Sequence, residues 1–423
     1  MSTITEGTAP VDVDRFLDEC EADGNLRGRL VHVERIPPRA ARYGRLKEPL
    51  PDEILQSLAG TGVRELFTHQ VDAIEALRRG ENIVVVTGTA SGKTLCYNIP
   101  VLETIAHDPS VRALYLFPTK ALAQDQLRAL AKLGVPTLGP RERQRGGRRV
   151  EHLPNSSQQA LPGMADAFWP PAGTYDGDTP KVLRSRMRSE AGIVLSNPDM
   201  VHAGMLPSHG SWSTFLAGLR YVVIDELHAC RGVFGSHTAN VIRRLRHICR
   251  NYGSSPQFIC CSATIANPVE HAEAMVGLPM TLIDDDGSPR GKRAFALWNP
   301  PLIDAAQGIR KSANTEAAEL MSRLIGPHMA QTIAFTRSRS TAEVLCKYVR
   351  ERLTSAGYPR SSVTPYRAGY LPSERREIEA GLASGEIRGV ASTNALELGI
   401  DVGGLDACLI VGYPGTVAST WQQ

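Results

Sequence analysis

The densest chemistry in the chain is the run V-V-V-T-G-T-A-S-G-K-T at residues 84–94. An apolar strand feeds a loop of small residues, and Gly92-Lys93-Thr94 opens a helix. Phosphate binding needs close backbone approach, N–H donors and the positive end of a helix dipole, and this order of residue types supplies all three. Thr87, Gly88, Thr89, Ala90, Ser91 and Gly92 are therefore candidates to cradle the phosphates of a nucleotide. Lys93 would reach the β- and γ-phosphates of ATP, and the Thr94 hydroxyl would ligate Mg2+. The pattern G-x-x-x-x-G-K-[ST] is met except at its first position, where Thr87 stands and Gly88 follows one place late. A chance Gly-Lys-Thr at a helix start would not come with the β-branched strand before it.

Such a loop needs a carboxylate at the end of a neighbouring strand. The run R-Y-V-V-I-D-E-L-H at residues 220–228 provides one. Asp225 would hold Mg2+, largely through water, and Glu226 would orient and deprotonate an attacking water. An isolated Asp-Glu is usually a solvated strand end, but downstream of a phosphate loop the catalytic assignment is the better one. His228 follows as a candidate sensor between nucleotide and polymer sites. Phe67 and Gln70 precede the loop in L-F-T-H-Q, and two readings stand side by side there. One is an ordinary helix start; the other is an aromatic stacked on adenine and an amide reading its edge.

These residues must be positioned by a scaffold, and the hydrophobic pattern names it. Apolar, β-branched runs at 83–87, 112–117, 193–196, 221–225 and 258–262 alternate with helical stretches at 93–106, 121–133 and 237–252. Continuous apolar strands between helices predict a parallel sheet covered on both faces. The Asp-, Gly- and Pro-rich segment Asp284–Pro301 reads as a linker. Beyond it the rhythm resumes at 332–336, 340–356, 373–384, 389–393 and 408–412, which predicts a second α/β domain. The expected division is an N-terminal appendage, small and helical, over 1–60, a first domain over 61–283, the linker over 284–301 and a second domain over 302–423. Residues 139–172 break the rhythm with scattered Arg, Pro, Gly and Gln, and are expected to be a disordered surface insertion.

Bulk properties narrow the class further. With 423 residues the chain is long enough for two or three domains with buried cores. No apolar run of about 20 residues predicts a membrane span, and the acidic first twenty residues lack a signal-type apolar region. Eight cysteines are scattered with no C-x-x-C pair, so a zinc site has little support. The expectation is a reducing, cytoplasmic setting. The net charge of +3 neither demands nor excludes nucleic acid, although Arg27–Lys47 holds seven cations and Arg141–Arg149 holds five arginines.

A further series of segments makes a family recognisable. F-P-T-K-A-L-A-Q-D-Q (117–126) resembles motif Ia of superfamily 2 helicases, S-N-P-D-M (196–200) motif Ib, and S-A-T (262–264) motif III. F-T-R-S-R (335–339) resembles motif IV and S-T-N-A-L-E-L-G-I-D (392–401) motif V. Each is short; their joint order around two α/β blocks is specific. T-Y-D-G-D-T (174–179), D-E-L-H-A-C-R-G-V-F-G-S-H (225–237), Y-R-A-G-Y-L-P-S-E-R-R-E-I-E (366–379) and G-Y-P-G-T-V-A-S-T-W-Q-Q (412–423) resemble the MrfA-type branch of bacterial mitomycin-repair helicases. That branch also has Ala at the position of Ala90.

The resemblance covers about Leu66 to Gln423, the 139–172 insertion apart. It implies two tandem RecA-like domains, ATP in the cleft between them, 3′-to-5′ translocation on single-stranded DNA and a role in DNA repair. It further implies coupling of hydrolysis to movement through Ser262, Ala263 and Thr264, and nucleotide contacts at Gly399 and Asp401. A motor stepping along a strand grips backbone rather than bases. Thr119, Lys120, Arg337, Arg339, Arg367 and Thr393 have suitable chemistry at expected strand ends and loops. For Arg339 and Arg367 a surface salt bridge is the alternative. RNA is the alternative polymer, because discrimination rests on 2′-hydroxyl contacts.

The family pattern continues past W-Q-Q into a Gly-Arg-Ala-Gly-Arg segment whose arginines reach the γ-phosphate. The chain given stops at Gln423, inside the second domain, so hydrolysis slower than in a longer relative is expected. A non-catalytic ATP-gated clamp on nucleic acid is the corresponding alternative.

Overall fold

The computed structural model describes residues 12–139, 168–263, 265–367, 370, 372–396 and 404–423. It divides into two compact units. One is Ala40–Pro289; the other joins the segment up to Arg39 with Arg290–Gln423.

The Ala40–Pro289 unit is built on seven parallel strands. Their order is Thr281–Ile283, Ile83–Val86, Gln257–Ser262, Leu219–Ile224, Arg112–Leu116, Ile193–Ser196 and Ala172–Thr174. The inner strands are buried at nearly every position, as expected where helices cover both faces of a parallel sheet. On one face Val84, Leu114, Val194, Val222 and Phe258 join Val241, Ile242 and Leu245 of the helix Gly232–Asn251 in a single core. Cys260 and Cys261 are buried in their strand as small core residues. Because every pairing is parallel, the strand ends fall on one edge: Val86 pairs with Ser262, Leu116 with Ser196 and with Ile224. The segments after those ends are therefore delivered to the same place, the usual ligand edge of an open α/β sheet.

The other unit has a four-stranded parallel sheet in the order Val363–Tyr366, Gly389–Ser392, Thr332–Phe335, Ala407–Ile410. Helices Ala313–Ile325 and Arg339–Ser355 cover one face through Met321, Leu345, Val349 and Leu353. Ile333, Phe335, Tyr366, Leu382, Val390 and Leu396 cluster in a second core.

The N-terminal appendage contains a helix, Val13–Ala22, and also a strand, Leu30–Ile36, paired antiparallel with Arg293–Trp298. The segment expected as a linker thus contains a strand, and its partner is more than 250 residues earlier in the chain. Inside this unit Glu316, only 2% exposed, receives Arg29 at 2.8 Å, Lys311 at 2.7 Å and Trp298 Nε1 at 2.9 Å. Three donors around one buried carboxylate are what make its desolvation tolerable.

Candidate nucleotide and nucleic-acid site

The phosphate loop leaves the buried strand Ile83–Val86 and ends where the helix Lys93–His107 begins. Gly92, the residue before that helix, sits at φ 79°, and a Cβ there would lie 2.6 Å from Gln70 Nε2. Glycine is therefore required on two counts, conformation and space. Ala90 also has positive φ, 58°, without glycine's freedom. The helix start carries no side-chain cap, so its first N–H groups are available to an anion. Thr87 and Ser91 hydroxyls lie 2.6 Å apart within the loop. The Lys93 ammonium donates to the carbonyls of Thr87 and Gly88 at 3.0 and 2.7 Å, so it lies over the loop it is expected to serve.

Three residues brace the loop from outside. Gln70 accepts from the Phe67 N–H at 2.9 Å and donates Nε2 to the Gly92 carbonyl at 3.1 Å. His69, fully buried, lies 3.1 Å from the Ser91 carbonyl through Nε2 and accepts the Gly287 N–H at its Nδ1 at 3.2 Å. That pattern puts the imidazole proton on Nε2, and burial holds the ring's pKa below its ordinary value. Asp286 accepts the Gly88 N–H at 3.3 Å. His69 was visible in the sequence only as the neighbour of Gln70. Asp286 lay hidden in the D-D-D-G segment. Phe67 stacks against Tyr43 and His69, at centroid distances of 5.4 and 5.9 Å.

Asp225 and Glu226 follow the strand Leu219–Ile224, two strands away from the phosphate loop across Gln257–Ser262. Both Asp225 oxygens are oriented: Oδ1 accepts the Glu226 N–H at 2.8 Å, and Oδ2 accepts from the Tyr97 hydroxyl at 3.1 Å. Burial raises the Asp225 pKa, with the Glu226 N–H, Lys93 and Tyr97 opposing it. A buried, oriented carboxylate near a lysine and the Thr94 helix start suits a hard divalent cation, and these residues fit Mg2+. Glu226 adopts φ 52°, an uncommon conformation for this residue type. Burial, then the neighbouring Asp225 charge, raises its pKa to about 7, the range for proton transfer at neutral pH. His228 lies 3.3 Å from Glu226 Oε2 and 3.3 Å from the Ser262 hydroxyl through Nδ1. Burial, followed by Arg231, Lys93 and His271, pulls its pKa down to about 4. The D-E-L-H and S-A segments are thus brought together; Thr264 lies outside the described residues.

At the same sheet edge Thr119 caps the helix Lys120–Lys132, its hydroxyl accepting the Leu122 N–H. Lys120 pairs with Asp178 of the T-Y-D-G-D-T segment at 2.7 Å. That segment stood out in the sequence without a role, and its place beside Lys120 needed the fold. In the other unit Arg337 and Arg339 are exposed, and Thr393 follows the strand Gly389–Ser392. Arg337 donates to the Tyr413 carbonyl at 2.9 Å. Arg367 pairs with Glu343 at 2.7 Å and lies over the Tyr370 ring at 4.9 Å, so the salt-bridge alternative describes its present contact. Gly399 and Asp401 lie outside the described residues, as do most of 139–172.

The geometry defines a class, and comparison with known families agrees with it. A DEAD/DEAH box helicase model matches residues 67–161 and 164–272, and a helicase conserved C-terminal domain model matches 316–423. The chain belongs to the superfamily 2 DEAD/DEAH-box helicases, in the branch of MrfA. It is 46% identical over 409 residues to the "Uncharacterized ATP-dependent helicase YprA" of Bacillus subtilis (strain 168), covering 97% of this chain and 50% of that protein. With the ATP-dependent helicase HRQ1 of Saccharomyces cerevisiae the identity is 38%, over 97% of this chain and 36% of that protein. The crystal structure of the DUF1998 helicase MrfA bound to DNA and AMPPNP aligns with a TM-score of 0.83 at 44% identity, over 97% of this chain and 52% of that one. The chain thus spans half the length of YprA and 36% of that of HRQ1. No described helix is long and apolar enough to cross a membrane.

Proposed function

We propose that this chain carries the ATP-driven motor of a DNA helicase, moving 3′ to 5′ along single-stranded DNA in the service of DNA repair. The observation that carries the reading is the shared strand edge. It sets Lys93 and Thr94 on one helix start, Asp225 and Glu226 on the strand end two places along the sheet, and Ser262, on the strand between, within reach of His228. In this reading the phosphate loop and Lys93 bind the ATP phosphates, with Gln70 and Phe67 toward the base. Thr94 and Asp225 hold Mg2+, which when bound neutralises phosphate charge. Glu226 takes the proton of the attacking water, and His228 with Ser262 passes the state of the site to the strand-gripping residues. Thr119, Lys120, Arg337, Arg339, Arg367 and Thr393 contact the sugar–phosphate backbone. The DNA and AMPPNP bound by MrfA support both ligands.

The test is ATP hydrolysis by the purified chain with and without oligo(dT), beside a Lys93→Ala control. Displacement of streptavidin from 3′- or 5′-biotinylated strands reports direction. Turnover that rises with oligo(dT) and vanishes in Lys93→Ala supports the motor. Nucleotide-tightened DNA binding without turnover supports a clamp instead. Stronger stimulation by a matched RNA strand would reassign the polymer.

A further inference from the structure

Tyr97 stands one turn beyond Lys93 on the helix Lys93–His107 and is fully buried. Its hydroxyl lies 3.1 Å from Asp225 Oδ2 and 3.1 Å from Gln126 Oε1. A phenol has one hydrogen and can donate once. The charged acceptor takes it, since a hydrogen bond to an ionised oxygen is the stronger. Gln126 then serves as the donor, its Nε2 toward the phenol oxygen, an orientation reached by a half-turn of the amide. The result is a chain of three groups: amide to phenol, phenol to carboxylate.

The two ends of that chain matter. One is the candidate Mg2+ carboxylate, whose other oxygen is already held by the Glu226 N–H. The other is on the helix Lys120–Lys132, headed by Thr119 and Lys120 and anchored in the core by Leu122, Ala123 and Leu130. A packed helix transmits a displacement of its N-terminus along its length rather than absorbing it. A core tyrosine filling space alone would need only its ring; a buried hydroxyl engaged with a metal-site carboxylate fixes the direction of that carboxylate.

We propose that Tyr97 is a positioning residue for the metal-binding carboxylate Asp225 and that, through Gln126, it couples the metal site to the strand-gripping helix start at Thr119–Lys120. This rests on the nucleotide-site reading above. Binding of mant-AMPPNP to the full chain, measured in EDTA and in saturating Mg2+, separates the two claims. The ratio of the two affinities is the metal-linked gain. In Tyr97→Phe the EDTA affinity is unchanged and the metal-linked gain falls about tenfold, the usual scale for loss of a group that orients a metal ligand. In wild type, oligo(dT) tightens the Mg2+-nucleotide complex; Gln126→Leu and Tyr97→Phe each abolish that tightening, and the double variant loses nothing further.

A Tyr97→Phe chain that keeps its full metal-linked gain, or loses affinity equally in EDTA and Mg2+, overturns the positioning role. Oligo(dT) tightening that is absent in wild type or intact in Gln126→Leu overturns the coupling. If Tyr97→Phe lowers the melting temperature too far for use, the half-buried Gln126 carries the test: its substitution lowers the metal-linked gain at unchanged EDTA affinity or the proposal fails. Failure of wild type to bind mant-AMPPNP, or equal binding by Lys93→Ala, strikes at the nucleotide site itself.

Discussion

Gln70 donates its side-chain amide to the Gly92 carbonyl at 3.1 Å, in the space that a Cβ on Gly92 would occupy. The glycine and the glutamine are therefore one device. The absent side chain makes room for the amide, and the amide holds the loop's last turn in its left-handed conformation. Because Gln70 is also tied to the Phe67 N–H, one buried side chain holds the helix start and the phosphate loop together.

Gln70→Ala should weaken nucleotide binding up to about tenfold, since it removes the side-chain donor that joins the Leu95 N–H at the Gly92 carbonyl, a loss of about 0.5–1.5 kcal/mol, and loosens Gly92. Titration of mant-ATP into the variant and wild type measures this. Equal affinity would show that the brace is dispensable.

Glu226→Gln should leave nucleotide affinity intact while cutting hydrolysis about 10²–10⁴-fold, the range for loss of a general base. Side-by-side mant-AMPPNP binding and phosphate release on the same preparation provide the check. A variant that loses binding in proportion would instead mark Glu226 as part of the cradle.

Ala90 at φ 58° should be relieved by glycine. The left-handed conformation costs a non-glycine residue about 1–2 kcal/mol, and glycine's greater unfolded-state freedom offsets about 0.4–1 of it. Ala90→Gly is expected to stabilise the chain by about 0.5 kcal/mol in chemical denaturation. A clear loss of stability would indicate that the loop needs the methyl group.

Lys120 is half exposed and paired with Asp178, which raises its pKa. If it grips a phosphate, Lys120→Ala should lower the slope of log K against log salt for single-stranded DNA by about 0.7. Fluorescence anisotropy of a labelled oligo(dT) across a salt series reads the slope. An unchanged slope would leave Lys120 as Asp178's partner alone.

Glu316 bears on stability. Burial works to raise its pKa, yet Lys311, Trp298 and Arg29 together outweigh burial, and the carboxyl lies below its ordinary value. A depressed folded-state pKa adds stability that is fully present above the unfolded value, about 4.3, and is lost as pH falls through the folded one. Melting curves should therefore show an acid-side loss below about pH 4.3 that Glu316→Gln flattens. At neutral pH the same substitution should cost about 1.5–3 kcal/mol, the scale of a lost charge-assisted hydrogen bond, because Lys311 and Arg29 keep Glu319 as a partner at 3.0 and 3.6 Å.

Much of the fold was legible because its signals are local. The runs around Ile83–Val86 and Phe258–Cys261 announce buried parallel strands by β-branching and continuity, and Gly92-Lys93-Thr94 announces a helix start by conformation alone. The short strands Ala172–Thr174 and Thr281–Ile283 were missed, being too brief to show a pattern. Arg293–Trp298 was missed because Asp, Gly and Pro around it carry turn chemistry. The strand's existence depends on Leu30–Ile36, a partner that no local window contains.

The same division runs through the site. Sequence by itself determined the loop Thr87–Thr94 and the pair Asp225–Glu226, because phosphate and metal binding demand residue types at fixed short spacings. Only the tertiary structure decided that His69 braces Ser91, that Asp286 reaches Gly88, and that Tyr97 stands between Asp225 and Gln126. Tyr97 and Asp225 are 128 residues apart, and His69 and Gly287 are 218 apart. Such contacts carry no spacing rule. They exist because packing the parallel sheet brings distant strand ends to one edge, where buried polar groups must find partners.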